Sequence, residues 1–135
     1  MPNGTDFSLV FPPDPVWVRS AREGVRTLLA ATDTSSLADI ALLLTSEVVT
    51  NAVNACHRSN TDTRLTLFAE CATPGALRVL VTDGAPGMPE TRPRPGADEE
   101  RGRGLPLLSA CATAWGVCEH GPGPGKGVWF ELDES

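Results

Sequence analysis

Ser46-Glu47-Val48-Val49-Thr50-Asn51-Ala52-Val53 lies inside a segment whose apolar residues, Leu37, Ile40, Leu44, Val48 and Ala55, recur at helical spacing. Thr34, Ser35 and Ser36 stand ahead of it as N-cap residues, so the pattern predicts a helix of about twenty residues ending near Arg58. Glu47 and Asn51 are four apart and project from one side of that helix, where they interrupt its buried stripe. A half-exposed helix boundary accounts for such a pair. So does a seat for Mg²⁺ and a water, because this ion takes oxygen ligands and keeps several waters beside substrate phosphates.

The flanking segments complete the architecture. Phe7, Leu9 and Phe11 alternate with Ser8 and Val10 and stop at Pro12-Pro13, which predicts a short edge strand. From Val16 to Ala31 the residues Val18, Ala21, Val25, Leu28 and Leu29 recur at steps of three and four, an amphipathic helix opened by Asp14-Pro15 with Arg19, Arg22 and Arg26 on its wet side. Arg64 to Cys71 and Ala76 to Asp83 have sheet character and are joined by Thr73-Pro74-Gly75, a hairpin signal. Gly84 to Arg103 then holds four prolines and four glycines with almost nothing apolar, the composition of a long surface loop, and loops of that length inside compact domains are usually functional. Leu105 to Ala114 predicts a helix with Pro106 in its first turn. Trp115 to Glu119 and Val128 to Leu132 are a last pair of strands around Gly121-Pro122-Gly123-Pro124-Gly125. Strands arriving in hairpins predict a mixed, mostly antiparallel sheet with the helices on one face: an α+β fold, a two-layer α/β sandwich in one domain spanning 1–135.

Composition narrows the function. The 135 residues carry a net charge of -6 with a pI near 4.8, which argues against bulk electrostatic binding of nucleic acid or anionic lipid. Met1-Pro2-Asn3-Gly4-Thr5-Asp6 is no basic leader with an apolar run behind it, and Ile40 to Leu44, the longest apolar run, is far too short to span a bilayer, so a cytoplasmic location is expected. Cys56, Cys71, Cys111 and Cys118 form no CxxC pair, which argues against structural zinc and for small, reduced, mostly core residues. Of eleven basic residues Lys126 alone is lysine. It reads equally as a solvated turn residue and as a contact to phosphate or lid.

Two further places could hold a ligand. Asp83 ends the apolar strand Leu77 to Val81 and precedes Gly84-Ala85-Pro86-Gly87. An ordinary Asp-Gly turn is one reading. The other is a carboxylate that accepts a hydrogen bond from a ligand amine, contributing on the order of 1.5 to 3 kcal/mol, with glycine letting backbone approach a flat ring. Gly102-Arg103-Gly104 closes the long loop where a helix begins, either as a hinge or as a phosphate seat on unpaired N–H groups. Gly121 to Lys126 is no P-loop: His120 stands where its first glycine would be and Gly127 where its hydroxyl residue would be.

Taken in order, Ser46 to Val53, Asp83 to Gly87, Gly102 to Leu105, Trp115-Gly116 and Gly125-Lys126-Gly127-Val128-Trp129-Phe130-Glu131-Leu132 resemble the N, G1 and G2 boxes and last strands of the GHKL, or Bergerat-fold, ATPases. Within that superfamily the chain is similar to small actinobacterial proteins related to anti-sigma factor serine/threonine kinases, over about Val16 to Asp133. The resemblance implies a histidine-kinase-like ATPase fold and ATP with Mg²⁺ as cofactors. Asn51 would hold the Mg²⁺ and Glu47 would be the general base. Asp83 would take the adenine amino group, with Gly87 giving room beside the ring; Gly102, Arg103 and Gly104 would meet the phosphates as the lid loop 84–103 closes. Implied partners are a sigma factor and an anti-anti-sigma (STAS-type) protein as phosphoryl acceptor, with no nucleic acid or membrane and with a homodimer as the assembly. The chain departs from the family pattern at Ala85, at Gly127, where relatives carry a threonine that helps hold the base, and at Asn54-Ala55 after the N box. These departures favour the alternative, a catalytically weak or inactive ATP-binding module that regulates a partner through lid ordering.

Overall fold

In the computed structural model, residues 5–58, 63–83, 104–119 and 126–134 are described. Among them the chain runs β1 (Thr5–Phe11), α1 (Trp17–Ala31), α2 (Ala38–Arg58), β2 (Leu65–Thr73), β3 (Ala76–Asp83), α3 (Gly104–Cys111), β4 (Ala114–Glu119) and β5 (Lys126–Asp133). The strands order as β1-β2-β3-β5-β4. All four pairings are antiparallel, so the expected mixed sheet is a purely antiparallel one. The reason lies in the last hairpin. Helix α3 delivers β4 to the sheet edge, and β5 turns back into the place between β4 and β3.

Period-two alternation divides the sheet into two faces. On β3, Leu77, Val79 and Val81 are buried, whereas Arg78 is exposed and Leu80 and Thr82 are half-buried. The inner residues meet α1, which lies over β1 and β2, and α2, which lies over β3 and against α3. Phe11, Leu29, Leu44, Leu65, Leu67, Leu77, Val79 and Phe130 are sealed between the layers. Burying each such side chain stabilises the fold by about 1.5 to 3 kcal/mol. On α1 the arginines Arg19, Arg22 and Arg26 are exposed opposite buried Ala21, Val25, Leu28 and Leu29. Trp17 is half-buried and stacks on Phe11 with ring centroids 6.0 Å apart, while Val16 is 69% exposed.

The start of α2 departs from the capping expectation. A 3-10 turn, Ser35–Leu37, precedes the helix, and Thr34 makes no side-chain cap. Its hydroxyl donates instead to the Thr32 carbonyl at 3.0 Å and accepts the Gly75 N–H at 3.2 Å. The β2–β3 hairpin turn thus takes the oxygen a helix cap would have used. Gly75 has φ +84°, a conformation that suits glycine, and its carbonyl accepts the Glu134 N–H at 2.8 Å. The third helix is shorter than its apolar pattern suggested, because Thr113 N–H already donates to the Glu131 carbonyl at 2.8 Å and the chain enters β4 at Ala114.

Segment Ser35–Arg58, 24 residues with an 18-residue window of mean hydropathy 1.3, is long and apolar enough to cross a membrane by length and composition, beyond what the short run Ile40 to Leu44 indicated. Half of its most apolar window is buried inside the fold, which makes it the core helix of the two-layer packing. Cys56 and Cys71 are buried, Cys118 is half-buried and Cys111 is exposed, and no disulfide joins these four cysteines.

Two substitutions test this packing. Gly75→Ala would place a Cβ 2.7 Å from Glu134 Oε1 at positive φ, and is expected to lower unfolding free energy by about 1 kcal/mol or more in urea titrations. Among the described residues, the buried Thr45 Oγ1 has no hydrogen-bond partner. Thr45→Val is therefore expected to raise stability by about 1 kcal/mol in the same assay.

Candidate functional site

On α2 the residues Leu44, Val48 and Ala52 are buried, Thr50 and Asn54 are exposed, and Glu47 and Asn51 are half-buried between them. The two polar side chains therefore sit at the rim of the apolar stripe, with their α-carbons one helical turn apart. Both supply oxygen donors. A carboxylate with a carboxamide suits a hard, partly hydrated cation such as Mg²⁺ and not a thiolate-seeking metal. Among the described residues no group of three or more His, Cys, Asp or Glu could hold a metal, so a cation here would need further oxygens such as those of phosphate.

The contact between Thr34 and Gly75 fixes a common origin for α2 and β3. From it both elements run in the same direction, and α2 packs on β3. At about 3.3 Å per strand residue, Asp83 lies about 26 Å beyond Gly75. At about 1.5 Å per helical residue, Glu47 and Asn51 lie about 17 and 22 Å beyond Ser36. The rim pair on the helix and the end of the central strand thus occupy one end of the molecule, opposite the Gly75 turn.

Asp83 is half-buried and continues the inward series Val79, Val81 on β3. Its side chain belongs to the helix-covered face. Cross-strand register pairs Asp83 with Lys126, and Lys126 with Glu119. Lys126 is the first residue of β5 rather than a turn residue. This neighbourhood could not be read from the sequence, since nothing local signals that β5 and not β4 pairs with β3. Gly127 pairs with Thr82 on the opposite face, and a Cβ there would meet Cys118 Sγ and Leu80 Cδ1 at 3.1 Å. A side chain at 127 would point away from Asp83, so the glycine at this position removes nothing from the face that carries the aspartate.

His57, at the last turn of α2, is exposed, and its Nε2 lies 2.7 Å from the Pro13 carbonyl. The contact identifies the Nε2–H form as donor and ties the end of the helix to the connector after β1. Gly104 opens α3, which packs against α2 and β4. Gly87, Gly102, Arg103, the expected lid 84–103 and the turn 121–125 lie outside the described residues.

Comparison with known proteins supplies the rest. The profile of the histidine kinase-like ATPase domain matches residues 11–130. An uncharacterized protein of Streptomyces coelicolor is 50% identical over 48 residues, which cover 35% of this chain and 46% of that protein, so the chain spans less than half of that relative's length. The domain match runs from the end of β1 into β5 and takes in Glu47, Asn51 and Asp83. Fold, element order and profile agree, and the chain belongs to the histidine kinase-like ATPase domain family, whose members bind ATP.

Proposed function

We propose that this chain is a cytoplasmic Mg-ATP-dependent serine/threonine protein kinase of the anti-sigma type, holding a sigma factor and phosphorylating an anti-anti-sigma protein. The supporting observation is the half-buried Glu47 and Asn51 on the rim of α2, at the same end of the molecule as inward-facing Asp83. Asp83 accepts a hydrogen bond from the adenine amino group, and Gly87 leaves room for the ring. The N–H groups at the start of α3, with Gly102, Arg103 and Gly104, receive the phosphates. Asn51 would hold Mg²⁺, whose positive charge, when bound, would offset the charge of the phosphates. Glu47 takes the proton from the acceptor hydroxyl as that oxygen bonds to the γ-phosphorus and the bond to ADP breaks. A protonated carboxyl, ADP and a phosphoprotein result, so atoms and charges balance.

A second reading keeps ATP but not transfer: nucleotide orders the lid and sets affinity for a protein partner. Ala85, in place of the family's glycine in the adenine turn, and Gly127, in place of the family's threonine, support it. The two readings separate at Glu47. For a kinase, Glu47→Gln should leave Mg-ATP affinity within about threefold and lower transfer from labelled ATP to the anti-anti-sigma partner by about 10²- to 10⁴-fold. Unchanged regulation of the partner by Glu47→Ala would instead select the binding module.

The metal assignment has its own test. Isothermal titration should show Mg-ATP binding at least about tenfold weaker for Asn51→Ala, as the loss of a ligand bond to a charged group costs about 1.5 to 3 kcal/mol. Removing Mg²⁺ with a chelator should weaken the wild type to a similar degree and add little to the loss in Asn51→Ala. Equal affinities of the two proteins for Mg-ATP would remove Asn51 from the metal site.

A further inference from the structure

The connector between β1 and α1 leaves the sheet at the end that carries Asp83: Phe11 stands opposite Leu65, and in the neighbouring row Val10, Thr66 and Thr82 lie side by side. This connector is stiff. Pro12, Pro13 and Pro15 fix the φ angle at three of the five positions 12–16. The Asp14 N–H donates to the Pro12 carbonyl at 2.8 Å, the Asp14 carboxylate accepts the Val16 N–H at 3.0 Å, and the Asp14 carbonyl accepts the Trp17 N–H at 3.0 Å. Trp17 then stacks on Phe11 and closes the turn on itself. Onto this block the last turn of α2 is tied by a directional bond, from His57 Nε2–H to the Pro13 carbonyl at 2.7 Å. Val53 and Cys56, on the same stretch of helix, do a different job. Both are sealed in the core and hold the helix down on the sheet, but apolar burial has no preferred direction and leaves the helix able to slide or roll slightly. A hydrogen bond weakens steeply once its angle is lost, so it fixes what burial does not.

We propose that the His57–Pro13 bond is a latch that sets where Asn51 stands relative to Asp83, which makes His57 a positioning residue for Mg-ATP. The inference rests on the nucleotide reading of Asn51 and Asp83. His57 follows Asn51 by six residues, so it lies about 9 Å further along the helix axis and about 120° around it. The latch therefore grips α2 from the side that meets the connector, while Asn51 stands at the half-buried rim on another side. A roll or shift that broke the bond would carry Asn51 and Glu47 with it, since a helix moves as a unit over so short a span. Asp83 does not move with α2. Its place is set by the sheet, through pairing of β3 with β2 and with β5. The two ends of the nucleotide are thus held by different parts of the fold, adenine by the sheet and metal by the helix, and only the second depends on the latch. His57 is exposed, and a bond of this kind in water biases an equilibrium by about two- to tenfold, which is the ceiling on what its loss takes from binding.

Isothermal titration with two probes tests it. Mg-ATP should bind His57→Ala about three- to tenfold more weakly than the wild type, while adenosine, which reaches Asp83 but brings no metal or phosphate, should bind the two within about 1.5-fold. His57→Gln, whose side-chain N–H reaches as far as Nε2 of the imidazole, should bind Mg-ATP within about twofold of the wild type. In an Asn51→Ala background, His57→Ala should cost nothing further. The wild type supplies a measurement that needs no variant: the ring-nitrogen NMR resonances of neutral His57 should place its proton on Nε2. Wild-type affinity for Mg-ATP in His57→Ala overturns the proposal. So does an equal loss for adenosine, a His57→Gln that behaves like His57→Ala, or a ring proton on Nδ1. Mg-ATP binding that Asn51→Ala leaves unchanged removes the nucleotide reading, and the role of the latch falls with it. A loss in Asn51→Ala without one in His57→Ala strikes the latch alone.

Discussion

Strand β3 is the constraint from which the remainder follows. It is hydrogen-bonded on both sides, to β2 and to β5, and its side chains alternate between a face sealed by helices and a face that no described helix covers. A shift of one residue in its register would turn Val79 and Val81 outward and Arg78 and Leu80 into the core. The loss of apolar burial, together with an arginine forced out of water, makes that alternative untenable. Fixing the register of one strand therefore fixes two chemistries together. Asp83 is carried to the inner side at the strand end, and Arg78, Leu80 and Thr82 are turned to the outer side.

Much of this was legible in the amino acids. Alternation marked β1, β2 and β3, the three-four spacing marked both long helices, and Pro74-Gly75 marked the tight hairpin, because each is a local preference expressed within a few residues. What escaped was set by distant partners. Thr34 looked like a cap and is spent on the Gly75 amide, since a hairpin that is far away in sequence sits beside it in space. The insertion of β5 between β3 and β4 has no local signal, and with it went the pairing of Asp83 with Lys126 and the outward direction of Gly127. Glu47, Asn51 and Asp83 could be selected from sequence because their residue types conflict with their surroundings: polar groups at the rim of an apolar stripe and at the end of an apolar strand.

The acidic balance of the chain acquires a local meaning in the fold. Arginines stand on the exposed side of α1, while Glu70 and Glu131 flank Arg78 on the open face of the sheet. Arg78 is half in water, with its side chain 56% exposed, so these ion pairs contribute little to stability.

The joint between Thr34 and Gly75 also turns α2 into a lever arm with its pivot at the far pole. Helix and strand are clamped where they begin, by the hydroxyl-to-amide bond and by Glu134 on the same turn, and Asn51 rides about 22 Å from that pivot. A tilt of about three degrees, small enough to leave the clamp intact, would carry Asn51 about 1 Å relative to the strand end. Displacements of that size change rates about a hundredfold when reacting groups must be aligned. A rigid fulcrum at one pole and a long reach to the other let slight repacking along the helix be felt as a large displacement of Asn51 relative to the strand end.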